Sequence, residues 1–419
     1  MADDTVELGA FREEARRWIG ENLDRRPPAT RRGVRTETMA PEVIAASRAL
    51  QRRLFEAGYA GISYPKKYGG RGLTMEHERV FREEAVGHLT PDFGGAGAVT
   101  FGAIGRSLLA HASQSFLDRH IPRILAGEEL WCQFYSEPEA GSDLAGIRTS
   151  ATRDGDCWVL SGSKIWSTGA YYADWAMCLA RTDWDAPKHR GLTWFAVPTD
   201  AAGLTIRQIA QIDGSSGFCQ EFLDEVVVGD GDVIGEVNQG WSVAQTMLVY
   251  ERGAGEMGAT TLEPRALAPD LVALARKVGR TGDPTVRQSI ARAHVNDFAQ
   301  YHLGKRIAAR LASAAAPDPG VAAYGKLASG TLAPIRARLA LEIGGGEALL
   351  WHRDDAAAGE HAVNYLNGRM TAIAAGTNEV QRNGIGERVL GLPREPTFDS
   401  TTPFNEVLRK AQSWNSRVG

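Results

Sequence analysis

What most constrains this chain is a change of hydrophobic period that happens twice. From residue 1 to about 128, apolar side chains recur at three- and four-residue steps. Val6, Leu8, Phe11, Ala15, Trp18, Ile19 and Leu23 mark the first such face, the pattern of one buried side of an α-helix. Val43, Ile44, Ala46, Leu50, Leu54 and Phe55 mark a second over 42–57, with Gly58 as its stop. Thr74 and Ser113 are placed as N-caps of two more; the first carries Val80, Phe81 and Val86 inward and the second runs to Gly127. At Trp131 the helical period ends. From there to about residue 236, β-branched and aromatic runs alternate with turn residues. Asp154-Gly155, between 147–153 and 157–161, predicts a hairpin. Further strands are expected at 175–181, 192–198 and 218–228.

After Gly240 the helical period returns and lasts to about residue 391, broken near Gly282-Asp283-Pro284, Pro317-Asp318-Pro319 and Gly376-Thr377. A run such as 285–314 exceeds the ordinary length of a globular helix, and several in one block predict a bundle. No internal repeat occurs. The expected fold is α+β: an N-terminal α-helical domain (1–128), a middle β-barrel-like domain (129–238), a C-terminal four-helix-bundle domain (239–395) and a loosely held polar tail (396–419).

Charge and composition exclude several classes. With 47 Lys+Arg against 51 Asp+Glu, the net charge of −4 offers no surplus for phosphate neutralisation, which argues against a nucleic-acid partner. The one locally basic run, 25–35, carries a Pro-Pro pair and reads as a solvated linker. No apolar stretch reaches the ~18–20 residues that cross a bilayer, and the acidic N-terminus lacks the layout of a secretory signal. Cys132, Cys157, Cys178 and Cys219 form no Cys-x-x-Cys pair, and the histidines form no His-x-x-x-His pair. Buried thiols in a reducing cytoplasm, without metal, are therefore expected. Gly253-Ala-Gly255-Glu-Met-Gly258 matches a dinucleotide fingerprint, but it follows a helical segment rather than a strand. Ser161 and Lys164 match the S-x-x-K of β-lactamases without its partner motifs.

Three distant segments can carry chemistry. In 131–146 an apolar strand runs into a turn holding Ser136, Glu137, Pro138, Glu139, Ala140, Gly141, Ser142 and Asp143; its hydroxyls and free N–H groups suit a flat polar heterocycle and a phosphate, or it is only a tight turn in a β domain. In 162–169, Trp166 stands among small polar residues, where an indole can cover an aromatic ring system or simply fill a core. In 374–394, Gly376, Thr377 and Asn378 precede a helix, whose N-terminus attracts an anion or needs only a cap.

Taken together, Tyr135 to Asp143, Lys164-Ile165-Trp166-Ser167-Thr168 and Gly376-Thr377-Asn378-Glu379-Val380-Gln381-Arg382 resemble the acyl-CoA dehydrogenase family, in its order and approximate spacing, over nearly the whole chain. The α–β–α order is also that family's order. The resemblance implies FAD, an acyl-CoA substrate, and removal of an α proton by a carboxylate with a β hydride going to the flavin. Carried over residue by residue, it places Gln133, Tyr135 and Ser136 against the isoalloxazine and Trp166 and Thr168 over its other edge. Ser142 falls on the pantetheine–phosphate arm of CoA. Thr377 and Glu379 fall near the pyrophosphate and ribityl chain, Arg287 on a neighbouring subunit's FAD, and Gly344 and Gly345 at the adenine end of a neighbour's FAD.

Many members carry the base as Glu immediately before the Gly-Thr of the third segment, where this chain has Ala375. A second group carries it on an earlier helix in a Leu/Tyr-Glu-Arg context, matched here by Tyr250-Glu251-Arg252. Glu251 is thus the expected base, a buried carboxylate by the needs of the chemistry, and Arg252 an expected substrate contact. The Gln that many homotetramers carry beside the Gly-Gly stretch is missing, so the expected assembly is a homo-oligomer (dimer or tetramer) or a heterotetramer with a related subunit. The resemblance also implies an electron-transfer flavoprotein as acceptor, and a branched or ring-bearing acyl group. Competing expectations are a flavin monooxygenase or nitroalkane-oxidase-like enzyme on the same fold, and a non-catalytic FAD-binding partner subunit.

Overall fold

A computed structural model of the chain describes residues 2–26, 39–251, 267–313, 319–350, 359–394, 396–397 and 399–418. The first helix, Ala2–Asn22, turns Phe11, Ala15 and Ile19 inward at four-residue steps, with Leu23 just beyond its end. They meet Leu54, Tyr59, Ile62, Val80 and Phe81, which come from the helices Pro41–Glu56 and Met75–Glu84 and the turn between them. Ser113 caps Gln114–Leu125 as expected, its Oγ accepting from the Phe116 amide at 3.3 Å. A π-type stretch, Ala98–Ile104, runs into the helix Gly105–His111 and delivers Ala103, Ile104 and Leu108 to the core shared with the sheet.

The middle region is one eight-stranded sheet. Its strands are β1 (Trp131–Phe134), β2 (Ser150–Asp154), β3 (Cys157–Thr168), β4 (Trp175–Arg181), β5 (Leu192–Pro198), β6 (Leu204–Gln208), β7 (Phe218–Gly229) and β8 (Val233–Ile234). The order is β6-β7-β3-β2-β4-β5-β8, with β1 beside β4. The hairpin forms between β2 and β3, Asp154 facing Cys157, with Gly155 in its turn at φ +59°. The first of its strands starts at Ser150 rather than 147, because 147–149 are drawn aside: the Arg148 and Thr149 amides both donate to the Glu137 carboxylate. β3 and β7 pair antiparallel, and their register shifts between Ile165 and Ser167, on either side of Trp166.

The C-terminal region is helical: Gly240–Val249, Pro269–Lys277, Pro284–Ser313, Pro319–Gly344, Glu360–Asn367 and Asn378–Arg388. Leu271, Leu274, Val286, Ile290, Leu339 and Ile343 form its core. Helix Gly240–Val249 belongs instead to the junction of all three regions. Its Val243, Ala244 and Met247 are buried in one cluster with Leu108, Leu192, Trp194 and Ile234. Gly240 allows that docking: a Cβ there would lie 2.7 Å from the Leu192 carbonyl oxygen, and its own carbonyl accepts from Trp194 Nε1 at 2.8 Å. Gly240→Ala should therefore cost about 1–3 kcal/mol and displace the helix, read as a lower urea midpoint.

The C-terminal segment departs from expectation. In place of a loosely held tail, a helix Phe404–Val418 forms and its start is pinned to the β4–β5 loop. The Phe404 and Asn405 amides donate to the Ala186 and Trp184 carbonyls, both at 3.0 Å, and buried Phe404 stacks 3.8 Å from the Arg181 guanidinium. One aromatic anchor among polar residues suffices, and average polarity conceals it. No described helix is long and apolar enough to cross a membrane. Three of the four thiols, Cys132, Cys178 and Cys219, are buried and all four are free. No metal-binding cluster occurs among the described residues.

Candidate active site

The turn after β1 is built around a buried ion pair. Lys164 Nζ, on β3, donates to Glu137 Oε1 at 2.8 Å and to the Tyr135 carbonyl at 3.1 Å, while Glu137 accepts the Arg148 and Thr149 amides at 2.6 and 2.8 Å. Burial pushes the Glu137 carboxyl up, but the Lys164 charge and these bonds outweigh it and hold it below the usual range. Lys164 is thereby committed to structure, which removes the S-x-x-K reading. The result is a rigid turn that presents the exposed residues Gly141, Ser142 and Asp143.

Next to it lies the flat face formed by β1 and the end of β3. Gln133 Nε2 is buried and has no hydrogen-bond partner among the described residues. Tyr135 is buried edge-on against Trp194 at 4.7 Å, and the Ser136 carbonyl accepts from the Ile165 amide at 2.9 Å. Trp166 is 55% exposed and sits at φ +68°, a left-handed conformation that a bulky residue adopts at a cost. The bulge around it turns the indole out of the sheet. Thr168 packs where a Cβ on Gly95 would collide with its methyl, so the small residues Gly94–Gly97 bring the N-terminal region close to this face. An unsatisfied amide, a strained exposed indole and a glycine-lined approach fit a flat polar ring system such as a flavin.

Behind Trp166, Ser167 Oγ donates to Glu221 Oε2 at 2.9 Å. Glu221 is fully buried, and burial pushes its carboxyl up to about 8 in spite of Ser167 and Lys164. A carboxyl raised on folding binds its proton in the native state, so stability falls as pH rises from the ordinary range, near 4.5, through about 8. Glu221→Gln should recover up to roughly 3 kcal/mol at pH 7 and flatten that slope, as read from urea midpoints between pH 5 and 8.

A cavity of about 570 Å³ opens between the regions. It is lined by Ser142 and Asp143 from the turn, by Trp241, Gln245, Thr246 and Tyr250 from the central helix and its end, and by Gly376, Gln381 and Arg388 around the last bundle helix. Ala375 and Gly376 turn the chain at φ +53° and +89°. His189 also lines the cavity, its ring edge-on to Trp241 at 4.7 Å. Of the site residues expected from sequence, Ser142 lines this cavity.

Glu251 directly follows the lining residue Tyr250 at the end of the central helix, and it is exposed. A buried carboxylate was expected; Glu251 instead falls one turn past Met247, the last residue of that helix held in the core. Arg252 and the 253–258 glycines lie outside the described residues. Thr377 is an N-cap, its Oγ1 accepting from the Val380 amide at 3.2 Å. Glu379 pairs with Arg382 at 3.2 Å on the surface. Arg287 is exposed on the first turn of Pro284–Ser313, and Gly344 and Gly345 end the helix Pro319–Gly344, Gly344 tight against Ala348. None of these five positions lines the cavity described above.

Sequence reasoning passed over His189, Trp241, Gln245 and Thr246, which carry no motif. Gln381 and Arg388 lay within or beside the third segment and were identifiable by their spacing on its helix face.

Comparison with known proteins agrees with this geometry. Models of the acyl-CoA dehydrogenase N-terminal, middle and C-terminal domains match residues 5–128, 132–225 and 238–390. The chain is 36% identical over 389 residues to acyl-CoA dehydrogenase IpdE1 of Mycobacterium tuberculosis, covering 92% of this chain and 98% of that protein. It is 29% identical over 357 residues to cyclohexane-1-carbonyl-CoA dehydrogenase of Geobacter metallireducens, covering 80% and 88%. Among solved structures, the Tcur3481-Tcur3483 steroid ACAD superposes with a TM-score of 0.76 at 29% identity, covering 93% of this chain and 98% of that one. The ChsE4-ChsE5 complex from Mycobacterium tuberculosis gives 0.70 at 26%, covering 93% and 98%. The chain belongs to the acyl-CoA dehydrogenase family, the FAD-dependent oxidoreductases that act on the CH–CH bond of acyl-CoA thioesters.

Proposed function

We propose that this chain desaturates a ring-bearing or branched acyl-CoA, with Glu251 as the base. The observation that carries the reading is the convergence, on one cavity, of the Ser142 turn, the helix ending at Tyr250 and the Ala375-Gly376 turn. Ala375 has no proton-accepting group, so Glu251, which directly follows the lining residue Tyr250, takes the role. Glu251 removes the α proton; Gln133, Tyr135, Ser136, Trp166 and Thr168 hold and cover the flavin ring, and Ser142 meets the pantetheine arm. Bound against these residues, FAD would supply the acceptor for the β hydrogen as hydride. Thr377, Glu379, Arg287, Gly344 and Gly345 serve FAD ends at or across subunit boundaries, and Arg252 meets the substrate.

The substrate class is supported by the cavity's volume of about 570 Å³ and by relatives whose names specify cyclohexane-1-carbonyl-CoA and steroid substrates. The chain works as an oligomer, either of itself or with a related subunit, as supported by exposed Phe298, Ile373, Leu390 and Leu392 on the helical region and by two structural neighbours named as pairs of proteins, the Tcur3481-Tcur3483 steroid ACAD and the ChsE4-ChsE5 complex. An electron-transfer flavoprotein accepts the electrons, and the free thiols suit a cytoplasmic location. A substrate panel tests the reading: kcat/KM for cyclohexanecarbonyl-CoA and a steroid-side-chain CoA should exceed that for butyryl-CoA. A preference for butyryl-CoA contradicts it.

A further inference from the structure

The C-terminal segment reaches the edge of the cavity through a single shared cation. Lys188 Nζ donates to Asp143 Oδ1 at 2.9 Å and to Asp399 Oδ2 at 2.5 Å. Asp143 lines the cavity, and so does His189, the residue after Lys188. The loop that carries both, between β4 and β5, makes further bonds to the same segment. The Phe404 and Asn405 amides donate to its Ala186 and Trp184 carbonyls, and the Asn405 side-chain amide donates to Asp185. Beneath it, Arg181 is fully buried, donating to the Ala145, Ile147 and Lys188 carbonyls while its face covers Phe404. Ala145 also lines the cavity. One polar network thus runs from the C-terminal segment through Lys188 and Arg181 into two residues of the turn that holds Ser142.

We propose that Asp399 and Lys188 are positioning residues for substrate: the segment 399–405 clamps the β4–β5 loop and fixes the 141–145 turn at the cavity mouth before acyl-CoA arrives. The proposal rests on the acyl-CoA reading above. Its physical basis is preorganisation: a mouth held in its binding conformation spares the substrate the cost of ordering it. Lys188 suits the task because it is nearly buried yet charged. Burial lowers its affinity for the proton, but the bonds to Asp399 and Asp143 prevail and keep it raised. Neither residue need touch the reacting atoms, so the effect belongs to binding and leaves the chemical step alone.

The test uses the FAD-loaded full chain, Asp399→Asn, Asp399→Glu, and a chain ended after Arg394. Asp399→Asn and the shortened chain should raise KM for the best acyl-CoA by roughly five- to tenfold with kcat within about twofold, and Asp399→Glu should recover most of the loss. Amide exchange at 184–190 and 141–145 should quicken in the same two variants. Should the shortened chain fail to fold, Asp399→Asn decides alone, since it removes one carboxylate charge opposite Lys188 and no buried side chain. Unchanged KM and unchanged exchange in Asp399→Asn overturn the proposal, as does a loss confined to kcat. If no acyl-CoA perturbs the flavin of the unaltered protein, the acyl-CoA reading fails by itself. Exchange at 141–145 then decides the clamp: faster in Asp399→Asn supports it, unchanged overturns it.

Discussion

Glu251→Gln should lower kcat by about 10²–10⁴-fold, the usual share of a positioned general base, while FAD content and acyl-CoA affinity stay near their starting values. Gln keeps the shape and reach of the side chain and removes its negative charge and its capacity to take a proton. Glu251 lies outside the buried core and at the end of its helix, so the substitution should leave the unfolding midpoint within about 0.5 kcal/mol. Stopped-flow reduction of the bound flavin by substrate separates these quantities. Slow reduction at full occupancy is the expected result; weak binding with a normal limiting rate would move Glu251 from proton transfer to substrate binding. Ala375 cannot compensate, because the turn in which it sits carries no titratable side chain facing the cavity among the described lining residues.

Lys164→Met should be the most destabilising single change in the middle region. Lys164 is fully buried and Glu137 nearly so, and removing one member of such a pair strands the other's charge at a cost of about 3–5 kcal/mol. The sign of the pH dependence should also change. In the unaltered protein Glu137 is held below its ordinary range, so its contribution is present above that range and is lost as pH falls through the lowered value. Without Lys164, burial, the largest influence on this carboxyl, is opposed only by the bonds from the Arg148 and Thr149 amides, and the carboxyl should rise. The Glu137 contribution then becomes a penalty that grows as pH rises from the ordinary carboxylate range toward neutral. Urea midpoints should accordingly show the gap between Lys164→Met and the unaltered protein widening from pH 5 to 7. Adding Glu137→Gln should close much of it. A constant gap across that range would mean that lost packing, and no stranded charge, sets the cost.

The two residues show why parts of this molecule were legible in sequence and others were not. Strands β5 and β7 were readable because β-branched and aromatic residues dominate them, β4 because it is a short, nearly unbroken apolar run, and the helix faces because Phe11, Ala15 and Ile19 repeat with the helix turn. Trp166 and Ser142 were found by family spacing, and the structure adds what spacing cannot show: a strained, outward-turned indole and an exposed loop on a rigid turn. The buried pairing of Lys164 with Glu137 had no local signal, because the partners are 27 positions apart and meet only when β3 passes the turn after β1. His189 and the clamp at Asp399 were hidden for the same reason. Their roles arise from a loop and a C-terminal segment brought together by Phe404 and Arg181. Thr377 is the converse case, a motif residue whose visible work in the fold is to cap a helix.

The most direct measurement is an anaerobic titration of the FAD-loaded protein, with its partner subunit where one is required for FAD retention, by cyclohexanecarbonyl-CoA, a steroid-side-chain CoA and butyryl-CoA. Flavin absorbance near ~450 nm reports the reaction. Loss of that absorbance with a ring-bearing thioester, absent in Glu251→Gln, is the predicted result. An unbleached flavin with every thioester, or bleaching that survives in Glu251→Gln, would contradict it.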